Sequence, residues 1–160
     1  MSNVIGFNHA RATDIAAVGG KASSLGRLVA SGYRVPPGFS VSTAAHSEFL
    51  KTDNLAKRLH QLIATLDFDD AAALEARTAE IRARIVETEI PAAIASEIVA
   101  AYAGLGENAN VAVRSSGTAE DLAQASFAGM YDTYLDQERL LGPVLGILAR
   151  TRSPSVLADH

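Results

Sequence analysis

The chain has 160 residues, 48% of them hydrophobic and 20% charged, with a formal net charge of −4 and no cysteine. That length suits one domain with a real core, on the usual scale of roughly 100 to 200 residues per domain, and the composition is that of a folded globular protein. The missing cysteine excludes a disulfide framework, a thiolate metal site and a cysteine nucleophile, and the acidic balance removes the electrostatic footprint of a protein that wraps nucleic acid while leaving room for a small local anion site.

Met1 to His9 has neither a basic start nor an apolar core of the length a secretory signal needs. No stretch approaches the roughly 20 apolar residues that span a bilayer. The expectation is a cytoplasmic protein with no membrane partner. From Asp14 to Gly32 the chain reads as a loop followed by a helix: Gly19 and Gly20 break it, Leu25, Leu28 and Val29 share one helical face, and Gly32 stands where a terminator belongs. Lys21 then falls at a helix N-terminus, where free N–H groups and the helix dipole favour anions. The Gly-x-x-x-x-Gly-Lys-Ser/Thr spacing is absent, so this is not a P-loop.

Val35-Pro36-Pro37-Gly38 is a rigid turn leading into a short strand through Val41, and Ser42 or Thr43 caps a helix over Ala44 to Leu50. Asn54 to Gly104 is helical in three segments. Leu55, Leu59, Leu62, Ile63 and Leu66 give the first apolar stripe, Leu74, Ile81 and Ile85 the second, and Ile94, Ile98, Val99 and Tyr102 the third, with Pro91 at a first-turn position and Gly104 and Gly106 ending it. Asp69 and Asp70 are a loop or helix-start pair, and the scattered histidines His9, His46, His60 and His160 show no metal-ligand spacing.

Asn110 to Ser115 is the strongest strand, with Val111 and Val113 on one face and Ala112 and Arg114 on the other. It spills into the loop Ser115-Ser116-Gly117-Thr118, and a second β-like run, Tyr131 to Leu135, follows. Small residues that let the backbone approach, hydroxyl and N–H donors, and a guanidinium are the parts of a phosphate-facing surface. Each has a plainer reading. Lys21 is a surface lysine or an anion contact; Arg114 forms a structural ion pair with Glu120 or Asp121, or holds an anion; Thr118 and Asp121 make an acidic capping box; Gly129 is a turn glycine and Thr133 an ordinary strand threonine.

Taken together, Gly19-Gly20-Lys21-Ala22, Leu25-Gly26, Val35-Pro36-Pro37-Gly38-Phe39, Val113-Arg114-Ser115-Ser116, Thr118-Ala119-Glu120-Asp121-Leu122 and Ala125-Ser126-Phe127-Ala128-Gly129 resemble the N-terminal ATP-binding domain of the phosphoenolpyruvate synthase, pyruvate phosphate dikinase and rifampicin phosphotransferase family. The resemblance covers roughly residues 10–136. It implies an α+β fold, the first part of an ATP-grasp nucleotide-binding domain, with a small mixed or antiparallel sheet and a helical insertion over about 54–104. It also implies that Lys21 and Arg114 hold the phosphates of ATP, with Gly129 and Thr133 as further nucleotide contacts. The cofactors it implies are ATP and Mg2+, the metal's ligands being expected outside this chain. In the family, phosphoryl groups pass from ATP to a histidine on a separate domain and on to pyruvate or a related acceptor.

Departures from the pattern leave the acceptor open between pyruvate, rifampicin-like compounds and others: Gly117 stands where alanine is frequent, Ala123 where proline is frequent, and Met130-Tyr131-Asp132-Thr133 resembles the dikinase version. Residues 137–160 form a divergent tail. Relatives continue toward a Cys-Trp-Ala-Ser segment where this chain has Val144-Leu145-Gly146-Ile147; if these four residues are coded GTG, CTG, GGC and ATC, reading one nucleotide later gives that segment. The expectation is an out-of-frame extension and a truncated remnant, incompetent alone or completed by a separately encoded remainder. A stand-alone nucleotide- or anion-binding module without turnover is the alternative, and a remnant with no ligand a third.

Overall fold

The computed structural model describes residues 2–106 and 109–118, together with the backbone of 133–137. Strand β1 (Val4–Gly6) pairs antiparallel with β2 (Phe39–Val41), setting Val4 opposite Val41, Ile5 opposite Ser40 and Gly6 opposite Phe39. Successive side chains of a strand point to opposite faces. Accordingly Ile5 enters a core with Ala12, Ala17, Val18 and Ala22, while Val4, Phe39 and Val41 pack against a second core of Ala45, Ile90, Ile94 and Ile98. This short ladder divides the two clusters.

Between the two strands lie a 3-10 turn (Ala10–Thr13), helix α1 (Ile15–Val18) and helix α2 (Gly20–Ala30). The expected helix is α2, but the expected loop before it contains the short helix α1, with the break at Gly19. Helix α2 ends at Gly32, whose φ of +81° belongs to the left-handed region, with Gly32 N–H donating to Val29 O at 2.9 Å and Tyr33 N–H to Leu28 O at 3.0 Å. That is a Schellman closure, and it places the terminator where the sequence indicates. The buried face of α2 differs from the expected Leu25, Leu28 and Val29: Ala22, Ser23 and Gly26 are buried, and Leu28 is exposed. Small residues win because the helix lies close against the 3-10 turn, where a Cβ on Gly26 would strike the Ala12 carbonyl.

Helix α3 (Thr43–Lys51) begins at Ser42, whose hydroxyl accepts from Ala45 N–H at 3.2 Å. Helices α4 (Leu55–Ile63) and α5 (Ala71–Glu87) follow, and Asp70 caps α5 by accepting from the N–H groups of Ala72 and Ala73, each at 3.0 Å. Helix α6 (Ala92–Ala103) starts after Pro91 and supplies Ile94 and Ile98, one turn apart, to the second core. Glu97 on the same helix ties down the chain's start, accepting from Asn3 N–H at 2.9 Å and from the Asn3 side-chain amide at 2.7 Å. The Asn3 side-chain bond is the chief reason the Glu97 carboxyl is held below its ordinary range.

Strand β3 (Val111–Arg114) lays Val111 and Val113 on the second core and leaves Ala112 and Arg114 exposed, the alternation the sequence indicates. Its antiparallel partner β4 (Thr133–Gln137) has Arg114 opposite Thr133 and Val113 opposite Tyr134, with a bulge between Val113 and Val111. Helices joined to small antiparallel pairs make this an α+β chain consistent with part of an ATP-binding domain. Among the described residues, no helix is long and apolar enough to cross a membrane.

Candidate functional site

The break between α1 and α2 is where the loop after β3 meets the N-terminal part of the chain. Gly19 has φ +79° and ψ 173°, a conformation costly for any residue with a Cβ. A Cβ there would also run into the Ser116 carbonyl and lie 2.6 Å from the Ser116 hydroxyl. Only glycine lets the two segments touch.

A helix end leaves backbone groups without intrahelical partners, and a Gly19 N-cap has no side chain to satisfy them. The loop does so instead. The Ser116 hydroxyl donates to Val18 O, the last residue of α1, at 2.7 Å and accepts from Ala22 N–H, in the first turn of α2, at 3.0 Å. Gly20 N–H donates to Gly117 O at 3.0 Å. One serine, 94 residues along the chain from Ala22, thus caps two helix ends. A side-chain N-cap is worth about 0.5–2 kcal/mol. The expectation of open N–H groups at this helix start is corrected here, since those of Gly20 and Ala22 are engaged by the loop.

Lys21 is the second residue of α2 and half-buried, and its ammonium donates to the Ser115 hydroxyl at 3.5 Å. Ser115 directly follows Arg114, whose exposed side chain ends β3, and Thr133 is the register partner of Arg114 across the ladder. Lys21, the Arg114 strand end and the Thr133 backbone position therefore converge from three distant parts of the chain. Gly129, and with it Glu120 and Asp121, lies outside the described residues. Two of the histidines have local roles: His9 accepts from Arg11 N–H at 3.1 Å to start the 3-10 turn, and the His60 ring lies 2.9 Å from Ala56 O within its own helix. Among the described residues, no three His, Asp or Glu side chains gather as metal ligands.

An ammonium, hydroxyls and an exposed guanidinium around a tightly docked loop complement the oxygens of a phosphate chain, which accept several charge-assisted hydrogen bonds. The placement of Lys21 points the same way. The first turn is the positive end of the helix dipole, where a cation is unfavourable without an anion nearby.

Residues 15–142 match the family described as pyruvate phosphate dikinase, AMP/ATP-binding domain. The chain belongs to this family. The match to the AMP/ATP-binding domain takes in the Gly19 break, Lys21, the loop after β3 and both strands of the second ladder. Among curated relatives, phosphoenolpyruvate synthase of Pseudomonas aeruginosa is 44% identical over 130 residues, which is 77% of this chain and 16% of that protein. The phosphoenolpyruvate synthase of Neisseria meningitidis is 42% identical over 142 residues, 83% of this chain and 18% of that protein. That of Escherichia coli is 38% identical over 140 residues, again 83% and 18%. The chain thus spans about a sixth of the length of these relatives.

Two residues at the heart of the geometry are not singled out as site residues by the sequence: Gly19 stands in the chain-breaking glycine pair and Ser116 among the loop hydroxyls, and neither is marked there as a partner of the other. The one available hint is that a helix beginning after glycine needs its cap from elsewhere.

Proposed function

We propose that this chain is the ATP-binding portion of a phosphoenolpyruvate synthase-like phosphotransferase, with Lys21 and Arg114 holding the phosphate oxygens of ATP and Gly129 and Thr133 as further nucleotide contacts. The observation that carries this reading is the Lys21 ammonium 3.5 Å from Ser115, beside Arg114, in a chain of the AMP/ATP-binding family. The net charge of −4 repels a polyphosphate at long range, so these local cations do the holding. Neutralising and aligning the phosphates is most of what phosphoryl transfer requires of a protein.

On this reading, residues 1–136 form one partial ATP-grasp unit with inserted helices over about 54–104, and 137–160 are a divergent tail. In the complete reaction the phosphoryl group moves from ATP to a histidine and then to pyruvate or a related acceptor, in the cytoplasm. On this reading these 160 residues bind ATP but do not carry the whole transfer by themselves. Mg2+ would accompany the nucleotide. The described residues offer no acidic cluster to hold it.

Isothermal titration of the 160-residue chain with ATP, with and without magnesium, tests the proposal. Lys21→Ala and Arg114→Ala should each weaken binding about tenfold or more, the scale of a lost hydrogen bond to a charged group. Absence of heat with the folded wild type, or equal affinity in all three proteins, overturns the reading.

A further inference from the structure

Loop and helix meet residue by residue: Gly20 N–H on Gly117 O, the Lys21 ammonium on the Ser115 hydroxyl, and Ala22 N–H on the Ser116 hydroxyl. Lys21 is bracketed, because the residues on both sides of it are bonded through their backbone to the loop. The Ser116 hydroxyl is the one side-chain group among these contacts that spans the break, since it also holds the Val18 carbonyl on the far side of Gly19. Its loss would free the first turn of α2 to swing about Gly19, and Lys21 would move relative to the end of β3.

We propose that Ser116 is a positioning residue of the phosphate site. By capping α2 from across the chain, its hydroxyl fixes the Lys21 ammonium relative to Ser115 and Arg114, so that the two cations address one phosphate chain. A corollary concerns the ligand contact itself. The Gly20 and Ala22 amides serve the loop, so these two are not the donors that meet an anion, unlike the helix-start amides of a P-loop. The inference rests on the reading of Lys21 as a phosphate contact, and the test separates the two.

The test is a double-mutant cycle in ATP affinity on the full chain, using wild type, Lys21→Ala, Ser116→Ala and the double variant, with Ser116→Thr as the conservative rescue. Each protein is first checked for a cooperative thermal transition above the titration temperature. Ser116→Ala should weaken ATP binding about tenfold in the wild-type background and less than about twofold in the Lys21→Ala background, because a residue that acts through Lys21 has nothing left to position once Lys21 is gone. Ser116→Thr, which keeps the hydroxyl, should bind within about threefold of wild type. If Ser116→Ala does not fold, Ser116→Cys takes its place with the same criteria, a thiol being of similar shape and a poor hydrogen-bonding group. Independent, additive losses at the two sites would overturn the proposal, as would wild-type affinity in Ser116→Ala while Lys21→Ala is weakened; both leave the ATP reading standing. Equal affinity of wild type and Lys21→Ala would overturn that reading, and this inference with it.

Discussion

The seam between the α1–α2 break and the loop after β3 is built unlike the hairpin of α4 and α5. The seam is held by bonds between residues more than 90 positions apart, around buried Val18, Ala22 and Ser23. The hairpin relies on neighbours. Helix α5 has 17 residues and none of them is buried, α4 buries only Leu55, and the ion pairs Arg77–Glu80 at 2.7 Å and Arg84–Glu87 at 3.7 Å are one turn apart. Ile63, Phe68 and Val86 remain exposed. The lesson concerns precision: long-range bonds around a packed core fix the positions of Lys21 and Ser115, whereas local helical contacts set only the shape of a segment.

Gly19→Ala should do the greatest damage. It combines a φ/ψ of +79°/173°, a region essentially reserved for glycine and worth about 1–3 kcal/mol for another residue, with a collision against Ser116 backbone, worth about 1–3 kcal/mol as overpacking. Thermal unfolding should register a loss of about 2–6 kcal/mol, and ATP affinity should fall with it. Gly32→Ala sharpens the point. Its φ of +81° is nearly the same, yet nothing lies within 4 Å of its would-be Cβ, so the conformational cost of about 1–2 kcal/mol stands alone. Equal losses at the two glycines would mean that the loop does not press on Gly19.

Glu97 tests a further long-range bond. Its carboxyl is held below the ordinary glutamate range, first by the Asn3 side chain, so its contribution is present above the unfolded-state value and disappears as pH falls through the lower folded-state value. Glu97→Gln should therefore lower the melting temperature at pH 7, and the gap from wild type should close on acidification. Melting curves from pH 7 to about 3 check the sign; a gap that widens in acid would refute it. The smallest effect belongs to the hairpin. Arg77→Ala breaks a half-exposed pair one turn apart and should cost no more than about 0.5 kcal/mol by the same assay.

Much of this architecture is legible in the sequence where the signal is local. Ser42 or Thr43 as a cap, Asp70 within a loop or helix-start pair, Gly32 as terminator, and the in-out alternation from Val111 to Arg114 all follow from chemistry within a few residues, and the structure chooses Ser42 and Asp70 as the capping side chains. Three features escape such a reading. Strand β1, with Val4, Ile5 and Gly6, is too short to show a period of two. The buried side of α2 is chosen by close approach to Ala12, which favours Ser23 and Gly26 over the more hydrophobic Leu28. The role of Ser116 depends on partners 94 and 98 positions away, and no local pattern encodes them. Lys21 and Arg114 were visible as candidate anion contacts by residue type and setting; the loop docking that joins their neighbourhoods was not.

Amide hydrogen exchange at Gly20 and Ala22 tests the docking of loop on helix most directly. Both amides open a helix, where unpartnered N–H groups exchange freely, so in the wild type both should be protected to the level of neighbouring core amides, and in Ser116→Ala the protection at Ala22 should be lost. Exchange at both positions in the wild-type chain as fast as in an exposed loop would contradict the docked arrangement and with it the proposed phosphate site.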